Sequence, residues 1–256
     1  MAGSRYEYVK KFELPDPLLM GTFLVLRIDG HAFHKLSEAH DFAKPNDERA
    51  LQLMDHAARD LPLSKCTTLY NRRQSKILTT VTSLFTSSYV FNWSKYLPDK
   101  ELKYPPSFDG RIVMYPSAKE IRDYFAWRQA DTHINNMYNT VFWALVLQGG
   151  ESTTQAHATL RGTVSSTKHE ILHSRFGTNY NNLPARYRKG SILVREQVVP
   201  DASTLLAPGP ERAAGSPDVE NSISPELTKA QFTVELLHGD IIGDEFWDQR
   251  PYLLAE

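Results

Sequence analysis

The residues with the clearest potential for chemistry are Asp29 and Gly30, which follow a short apolar run at residues 23–28. Such a run predicts a buried strand, so the Asp29 carboxylate would lie at the end of that strand. Gly30 permits a tight turn and leaves its own carbonyl accessible. A carboxylate beside an accessible carbonyl is a hard-oxygen donor pair suited to Mg²⁺ with a nucleoside triphosphate. The dipeptide is equally an ordinary turn signal, so both interpretations stay open at this point.

Lys44 and Asn46 are candidates for contacts to a triphosphate. They precede apolar residues that recur at steps of three and four, which predicts a helix over about residues 50–61 that ends at Pro62. The N-terminus of a helix favours anions, which is the functional interpretation of both side chains. Helix capping by Asn46 or Asp47 is the simpler interpretation, with Lys44 as an ordinary surface residue.

A polar run of one histidine and three asparagines lies on a later predicted helix: His133, Asn135, Asn136 and Asn139. Asparagine is a weak helix former, so its repeated use here needs a reason. Hydrogen bonding to RNA bases or phosphates is one reason, and a polar face at a subunit interface is the other.

Basic residues cluster at two places, at Arg72, Arg73 and Lys76 and around a predicted turn at residues 186–189. Neighbouring tyrosines could stack on unpaired bases, which favours RNA binding, although small basic clusters are usually solvated surface. The net charge of the 256 residues is −1, so any basic surface must be local. The single cysteine excludes an internal disulfide and a cysteine zinc cluster.

The pattern of elements predicts an α+β fold without a membrane span or secretory signal. Strands are expected at residues 23–28, 111–115 and 191–199. Helices are expected at about residues 71–93, from a Ser117/Glu120 capping box to Trp127, over residues 132–147, and from a Thr167/Glu170 capping pair to Gly177. Residues 200–229 are rich in proline, glycine and serine and predict a disordered loop.

Taken together, these motifs resemble the tRNA(His) guanylyltransferase family over nearly the whole chain, apart from residues 200–229. The matching stretches include Arg27-Ile28-Asp29-Gly30-His31-Ala32-Phe33-His34, Phe42-Ala43-Lys44-Pro45-Asn46-Asp47, Phe108-Asp109-Gly110-Arg111, His133-Ile134-Asn135-Asn136, Tyr187-Arg188-Lys189-Gly190 and His238-Gly239-Asp240.

The resemblance implies a polymerase- or cyclase-like palm, a ferredoxin-like antiparallel sheet with helices, at residues 1–135. A helical and strand region would follow at residues 136–256. It also implies addition of GMP to the 5′ end of tRNA(His), through adenylylation of the 5′-phosphate with ATP and attack by the 3′-hydroxyl of GTP. Two Mg²⁺ ions, ATP, GTP, tRNA(His) and a homotetramer are the expected cofactors and partners. We expect a cytoplasmic or nuclear location, with a mitochondrial pool left open.

The resemblance also assigns roles to individual residues. Asp29 and the Gly30 carbonyl correspond to metal positions, and residues 29–34 would cradle a triphosphate. The positions that correspond to catalytic residues are those of Asp29, Arg27, Lys44 and Asn46. The positions associated with the tRNA are those of His133, Asn136 and Lys189. Within the triphosphate stretch, the nucleotide-binding residues are Asp29, Gly30, His31, Ala32, Phe33 and His34.

One part of the family pattern is missing near residues 62–65. The family carries a strand hairpin there, whose Ser-Asp-Glu-Tyr turn provides the second metal carboxylate, whereas no Asp or Glu occurs here between Asp60 and Asp99. We therefore expect a shortened sheet with an unpaired first-strand edge and little or no activity, with Asp60 only a weak substitute ligand. A gene-prediction error, a shortened isoform or a non-catalytic, tRNA-binding or oligomer-forming subunit would each account for the gap.

Overall fold

The computed structural model describes residues 4–61, 69–198 and 231–255, and its elements confirm the α+β class. The helices are α1 (Phe33–Ala39), α2 (Glu48–Arg59), α3 (Gln74–Phe91), α4 (Trp93–Tyr96), α5 (Ala118–Leu147), α6 (Thr153–Leu160), α7 (Ser165–Phe176), α8 (Ala185–Lys189) and α9 (Glu245–Asp248). The strands are β1 (Phe23–Gly30), β2 (Phe108–Tyr115), β3 (Ile192–Val198) and β4 (Gln231–Leu237). The family gap near residues 62–65 and the predicted loop at 200–229 lie outside the described residues. Among the residues described, no helix combines the length and apolar character that a membrane crossing requires.

The strands form two antiparallel pairs, β1 with β2 and β3 with β4. In the first pair Phe23 lies opposite Tyr115 and Gly30 opposite Phe108, so both strands extend beyond their predicted ranges. Alternate residues of a strand face opposite sides of the sheet. Ile28 packs on the α2–α3 side, which leaves Arg27 and Asp29 on the other face.

The outer edge of β1 has no partner strand within the described residues, as the sequence predicted. The His31 N–H donates to the Ser107 carbonyl at 2.9 Å. In an antiparallel ladder, hydrogen-bonded and non-hydrogen-bonded pairs alternate, so the backbone groups of Ile28 and Gly30 point away from β2. No described residue hydrogen-bonds to them. A mostly apolar cavity of about 660 Å³ separates this edge from β3.

Two apolar cores stabilise the fold. In the first, α2, α3 and α4 pack on the sheet through buried residues that include Leu53, Phe85, Tyr89, Trp93 and Leu97. The second joins α5, α6, α7 and the turn at Tyr180–Asn182. The longest helix, α5, contributes most of the buried residues of this second core. It also contacts β2, α6 and α7.

The sequence predicted two helices, ending at Trp127 and beginning near residue 132, where the structure has the single helix α5. The buried polar residue Gln129 accounts for the apparent break between them. Gln129 is buried, so the apolar periodicity lapses at its position although the helix continues. Its amide nitrogen donates to the carbonyls of Lys189 and Gly239, at 3.1 and 2.9 Å. Its amide oxygen accepts from the Ile241 N–H at 2.9 Å. Gln129 therefore connects α5 to the two segments that flank the β3–β4 pair.

Helix boundaries follow local capping chemistry where a cap is present. Asp47 caps α2, as one of the two predicted alternatives, by accepting from the backbone N–H groups of Arg49 and Ala50. The predicted Thr167 cap is wrong, because α7 begins two residues earlier without a side-chain cap, but it ends at Gly177 as expected. Helix α3 begins later than predicted, because Tyr70 and Asn71 adopt left-handed backbone angles.

Candidate active site

The tip of the β1–β2 pair carries two aspartates. Asp29 on β1 lies directly opposite Asp109 on β2. Residues opposite each other in an antiparallel pair share one face of the sheet, so the two carboxylates are neighbours. Arg27 donates to Asp29 at 2.6 Å, and this hydrogen bond raises the pKa of the Arg27 guanidinium. Both partners are substantially exposed, so the ion pair adds little to stability.

Gly30 provides a backbone oxygen beside these carboxylates. Its carbonyl belongs to the outer edge of β1 and has no hydrogen-bond donor among the described residues. Glycine is required here, because a Cβ at this position would approach the Phe33 ring to 2.3 Å. The Phe33 ring is fixed by Phe108, with 4.8 Å between ring centroids.

Asp29, Asp109 and the Gly30 carbonyl form a set of hard-oxygen donors of the type that Mg²⁺ prefers. These residues would hold a single ion, with other oxygen donors completing its coordination. In the described residues, no group of three or more His, Cys, Asp or Glu side chains could hold a metal ion. Asp60 accepts from the Ser88 hydroxyl and lies 3.7 Å from His56, so its contacts hold it against α3.

A cleft of about 610 Å³ opens beside the tip, between α1 with its following loop and the α5–α6 pair, and we call it the α1–α5 cleft. Phe33, His34, Lys44 and Asn46 line one wall. Asp29 itself is 55% exposed and does not line this space. The structure therefore places the predicted metal residues at the tip, and Lys44 and Asn46 in the cleft.

Lys44 is the cation of the cleft. Its ammonium group donates to the Ser37 hydroxyl at 2.9 Å and lies 5.4 Å from the centroid of the Trp143 ring. Lys44 forms no ion pair within the part of the chain that the structure describes. A cation held inside a cleft without a carboxylate partner is available for an anionic ligand.

The N-terminus of α2 is not available for that ligand. The carboxylate of Asp47 is buried and occupies the N–H groups of Arg49 and Ala50, as well as the N–H of Ala43. Burial alone would raise the pKa of Asp47, but these hydrogen bonds and the charge of Arg49 outweigh it and lower the pKa. Phosphate contacts in this region therefore depend on the Lys44 side chain and not on the α2 amides.

Asn46 and Asn136, predicted to have separate roles, are in direct contact. The Asn46 amide nitrogen donates to the Asn136 amide oxygen at 3.1 Å. Asn136 is buried and donates in turn to the Tyr180 hydroxyl at 3.0 Å. The three side chains connect the loop before α2, which lines the cleft, to α5 and to the second core.

His133 and Lys189 lie next to this chain of hydrogen bonds. The His133 ring contacts the Tyr180 ring, with 5.4 Å between centroids. Burial, followed by the charges of Lys189, His169 and Arg188, lowers the pKa of His133. Lys189 forms an ion pair with Asp240. Both residues are only half-buried, so they remain accessible at this surface.

The basic clusters are less exposed than the sequence suggested. Arg72 is buried and donates to the carbonyls of Leu18 and Leu19, so its role is structural. Arg186 forms ion pairs with Glu48 and Asp55 on α2. These contacts neutralise part of the surface that had been predicted to bind RNA.

Of the predicted triphosphate stretch, only Phe33 and His34 line the cleft. The His31 N–H is occupied by Ser107, and Ala32 adopts a left-handed conformation before α1. Sequence reasoning missed Asp109 as a candidate ligand, although a second Asp-Gly dipeptide at the start of a predicted strand was a usable signal. It also missed the aromatic wall on α5 and α6, formed by Tyr138, Phe142, Trp143 and His157.

Two family models match the chain. One described as tRNAHis guanylyltransferase matches residues 6–65 and, as a second piece, residues 60–116. One described as Thg1 C terminal domain matches residues 119–243. The two pieces of the first model overlap at residues 60–65, where the sequence predicts that the family hairpin is missing. The first family model ends at residue 116 and the second begins at residue 119. The domain boundary predicted at residue 135 lies within α5 and stays a prediction.

Two relatives match over nearly their full length. The tRNA(His) guanylyltransferase of Schizosaccharomyces pombe is 47% identical, with 99% of this chain and 98% of that protein covered. The probable tRNA(His) guanylyltransferase of Dictyostelium discoideum is 45% identical, with 100% and 99% covered. That alignment has 274 positions for the 256 residues of this chain, so at least 18 positions are gaps here.

Solved structures agree on the fold. The crystal structure of tRNA(His) guanylyltransferase from Saccharomyces cerevisiae is 42% identical with a TM-score of 0.68, covering 73% of this chain and 91% of that one. A bacterial guanylyltransferase-like protein in complex with ATP, at 21% identity and a TM-score of 0.55, covers 75% and 84% and shows the fold alone. These likenesses are consistent with the expected palm-like α+β architecture. Given the matches over its whole length, the chain belongs to the tRNA(His) guanylyltransferase family of nucleotidyltransferases.

Proposed function

We propose that the chain binds a nucleoside triphosphate in the α1–α5 cleft and adds guanylate to the 5′ end of tRNA(His). The observation that carries this proposal is the Lys44 ammonium group, held in the cleft by Ser37 and Trp143 without a carboxylate partner among the described residues. The relatives that match over their whole length are named for this reaction, which supports the choice of substrate.

The proposed reaction has three steps. A 5′-phosphate oxygen of the tRNA attacks the α-phosphorus of ATP, and pyrophosphate leaves. The 3′-hydroxyl of GTP then attacks the activated 5′-phosphorus, so that a phosphodiester forms and AMP leaves. Water finally cleaves the bond between the α- and β-phosphates of the added nucleotide, which releases pyrophosphate. Each step develops negative charge on phosphate oxygens, which the Lys44 ammonium would stabilise.

Mg²⁺ is the proposed metal, and it supplies charge neutralisation on the phosphates and orientation of the attacking oxygen. Asp29, the Gly30 carbonyl and Asp109 are the residues that would hold it. Arg27 donates a hydrogen bond to Asp29, which lies opposite Asp109 on the same face of the sheet.

We propose further that this form of the enzyme turns over slowly. A clamp of two ions requires more carboxylates than the described residues bring together. The split family match, the unpartnered β1 edge and the apolar cavity beside it all support the loss of a strand pair at this position. Loss of several kcal/mol of charge stabilisation corresponds to a rate reduction on the order of 100-fold or more.

A homotetramer is the proposed assembly. Large apolar side chains are exposed along the N-terminal segment, among them Phe12, Leu14 and Met20. Several large apolar side chains exposed within one segment are a reason to expect an interaction surface there. Light scattering coupled to size exclusion tests the proposal, and a monomer at micromolar concentration would contradict it.

His133 and Lys189 are the proposed tRNA contacts, and the third predicted contact, Asn136, has an indirect role. His133 and Lys189 lie at the surface, whereas Asn136 is buried and acts by holding Asn46 and Tyr180 in place. A non-catalytic tRNA-binding subunit is the second candidate function, favoured by the small number of metal donors at the tip. It predicts normal tRNA affinity without any transfer of guanylate.

The decisive experiment is a 5′-end assay with tRNA(His) carrying a 5′-monophosphate, ATP and radiolabelled GTP, with and without Mg²⁺. We expect slow, Mg²⁺-dependent incorporation of guanylate by the parent chain. Lys44→Met and Asp29→Asn should each abolish this incorporation. Lys35→Met is the matched control for Lys44→Met, because Lys35 is exposed and does not line the cleft. Tight tRNA binding with no incorporation by the parent chain would favour the non-catalytic subunit.

A further inference from the structure

The apolar cavity of about 660 Å³ lies between two strand edges and not over a sheet face. Four consecutive residues of β1, 23–26, and four of β3, 192–195, line it, whereas none of the described residues of β2 or β4 does. A cavity over one face of a strand would contact alternate residues only, because successive side chains point to opposite faces. The cavity is therefore bounded by the β1 edge that faces away from β2 and by the β3 edge that faces away from β4.

The backbone of β1 lacks hydrogen-bond partners along this edge. The His31 N–H donates to Ser107, so the odd-numbered residues of β1 are those that exchange hydrogen bonds with β2. Leu24 and Leu26 therefore direct their N–H and C=O groups toward the cavity. No described residue hydrogen-bonds to these groups. An occupant that fits this edge supplies backbone donors and acceptors at every second residue, which is what an extended strand does.

The floor of the cavity is apolar but carries a polar atom without a partner. Ile121 and Phe125 of α5 and Trp247 of α9 contribute apolar surface. Arg128 also lines the cavity, and its Nε is buried without a hydrogen-bond acceptor within the described part of the chain. The side chains of an added strand would pack on this floor, and a backbone carbonyl would accept from the Arg128 Nε. An extended peptide satisfies both features, whereas a purely apolar ligand satisfies only the first.

A second copy of this chain does not fit as the source of the strand. The far edge of its β1 is covered by β2, which would have to lie where β3 bounds the cavity. The length that this chain lacks is instead that of a strand pair. At least 18 aligned positions of the Dictyostelium discoideum relative have no counterpart here, which is enough for two strands of typical length and a turn.

We propose that the outer edge of β1 is an acceptor site for an extended strand of another polypeptide chain, with apolar side chains at alternate positions. The strand adds to the sheet inside the cavity, hydrogen-bonds to Leu24 and Leu26 and packs on α5 and α9. The inference goes beyond the proposed function and does not depend on it, since the cavity and the α1–α5 cleft share no lining residue.

The probe for the test is a fluorescently labelled synthetic peptide. Its sequence is the segment that the Schizosaccharomyces pombe relative carries where this chain has its gap near residues 62–65, and a scrambled peptide is the control. Two further peptides carry N-methyl groups, one on the odd-numbered and one on the even-numbered residues, because N-methylation removes the N–H donors along one edge of a strand. Binding to the full chain is followed by fluorescence anisotropy.

A pair of proline variants tests the acceptor side. Leu26→Pro removes an N–H that faces the cavity and no hydrogen bond to β2, and proline is tolerated at such edge positions. Ile112→Pro is the matched control. Ile112 lies directly opposite Leu26, so its N–H faces away from β1 at the other edge of the same strand pair.

We expect the parent chain to bind the unmodified peptide and not the scrambled one, and its thermal midpoint to rise with peptide concentration. Leu26→Pro should weaken binding at least about fivefold, the loss of one backbone hydrogen bond, while Ile112→Pro should change it less than about twofold. N-methylation of at least one alternate set should weaken binding by about tenfold or more, because several hydrogen bonds are lost together.

Equal binding of the unmodified and both N-methylated peptides would overturn the proposal, as would an absence of binding by the unmodified peptide. Self-association of the chain that Leu26→Pro abolishes, without peptide binding, would identify a second copy as the occupant and would also overturn it. If Leu26→Pro does not fold, as judged by its thermal transition, the N-methylated peptides carry the comparison. Failure of the proposed function is a separate result, since it appears as absent guanylate transfer and leaves peptide binding unchanged.

Discussion

Asp47 is predicted to hold the cleft together, and Asp47→Ala tests this directly. Its side chain is 3% exposed and accepts from three backbone N–H groups, those of Ala43, Arg49 and Ala50. Loss of an N-cap costs about 1 kcal/mol, and loss of the Ala43 hydrogen bond costs about another 1 kcal/mol. With the ion pair to Arg49 included, we expect the free energy of unfolding to fall by about 2–3 kcal/mol.

Asp99→Ala is the matched control, because Asp99 binds the same Arg49 at 2.6 Å but is 57% exposed and caps no helix. We expect it to cost less than about 1 kcal/mol. Urea unfolding followed by circular dichroism measures both variants. Equal costs for the two would refute the capping role, because only the shared ion pair would then matter.

The same variant has a pH signature. The folded pKa of Asp47 is lowered, so its stabilisation is complete above the ordinary value of 3.8 and is lost as the pH falls through the folded value. The difference between the parent chain and Asp47→Ala should stay constant from pH 8 to about pH 5. It should shrink only below the ordinary pKa, and a difference that disappears by pH 6 would show that another group is responsible.

Three further predictions concern the residues around the cleft. Gly30→Ala should destabilise the fold by about 1–3 kcal/mol because its Cβ would lie 2.3 Å from a phenylalanine ring, whereas Gly243→Ala, with nothing within 4 Å, should change the unfolding midpoint little. Asn46→Ala and Asn136→Ala should each lower the thermal midpoint, and the double variant should cost less than their sum; strict additivity would exclude the hydrogen bond between them. His133→Gln should flatten the pH dependence of unfolding below about pH 6.5, because burial lowers the pKa of His133 and the unfolded chain takes up the proton first as the pH falls. An unchanged slope would contradict this assignment.

Features set by neighbouring residues were predictable from the sequence. The apolar run that forms β1 and the Asp47 cap of α2 depend on local propensity and local hydrogen bonds. The break predicted within α5 was wrong because Gln129 is a buried polar residue whose partners lie about 60 and 110 residues away. The spacing of apolar residues reveals only which apolar side chains are buried. A buried, hydrogen-bonded amide such as that of Gln129 therefore looks like the end of a helix in the sequence.

Contacts that depend on register or distant packing were not predictable. The pairing of Asp29 with Asp109 requires the β1–β2 register, which no single dipeptide determines. The hydrogen bond between Asn46 and Asn136 joins residues 90 positions apart. The aromatic wall of the cleft was not predicted from the sequence either, because aromatic residues at helical spacing are more often core residues than ligand contacts.

The central claim is that the cleft still binds nucleotide while the missing strand pair limits transfer. The most direct measurement inserts the corresponding segment of the Schizosaccharomyces pombe relative at the junction near residues 62–65. Single-turnover guanylate addition and GTP affinity are then compared with those of the parent chain. The claim predicts that the rate rises on the order of 100-fold while GTP affinity changes by less than about tenfold. An unchanged rate, or a parent chain already as fast as the relative, would contradict it.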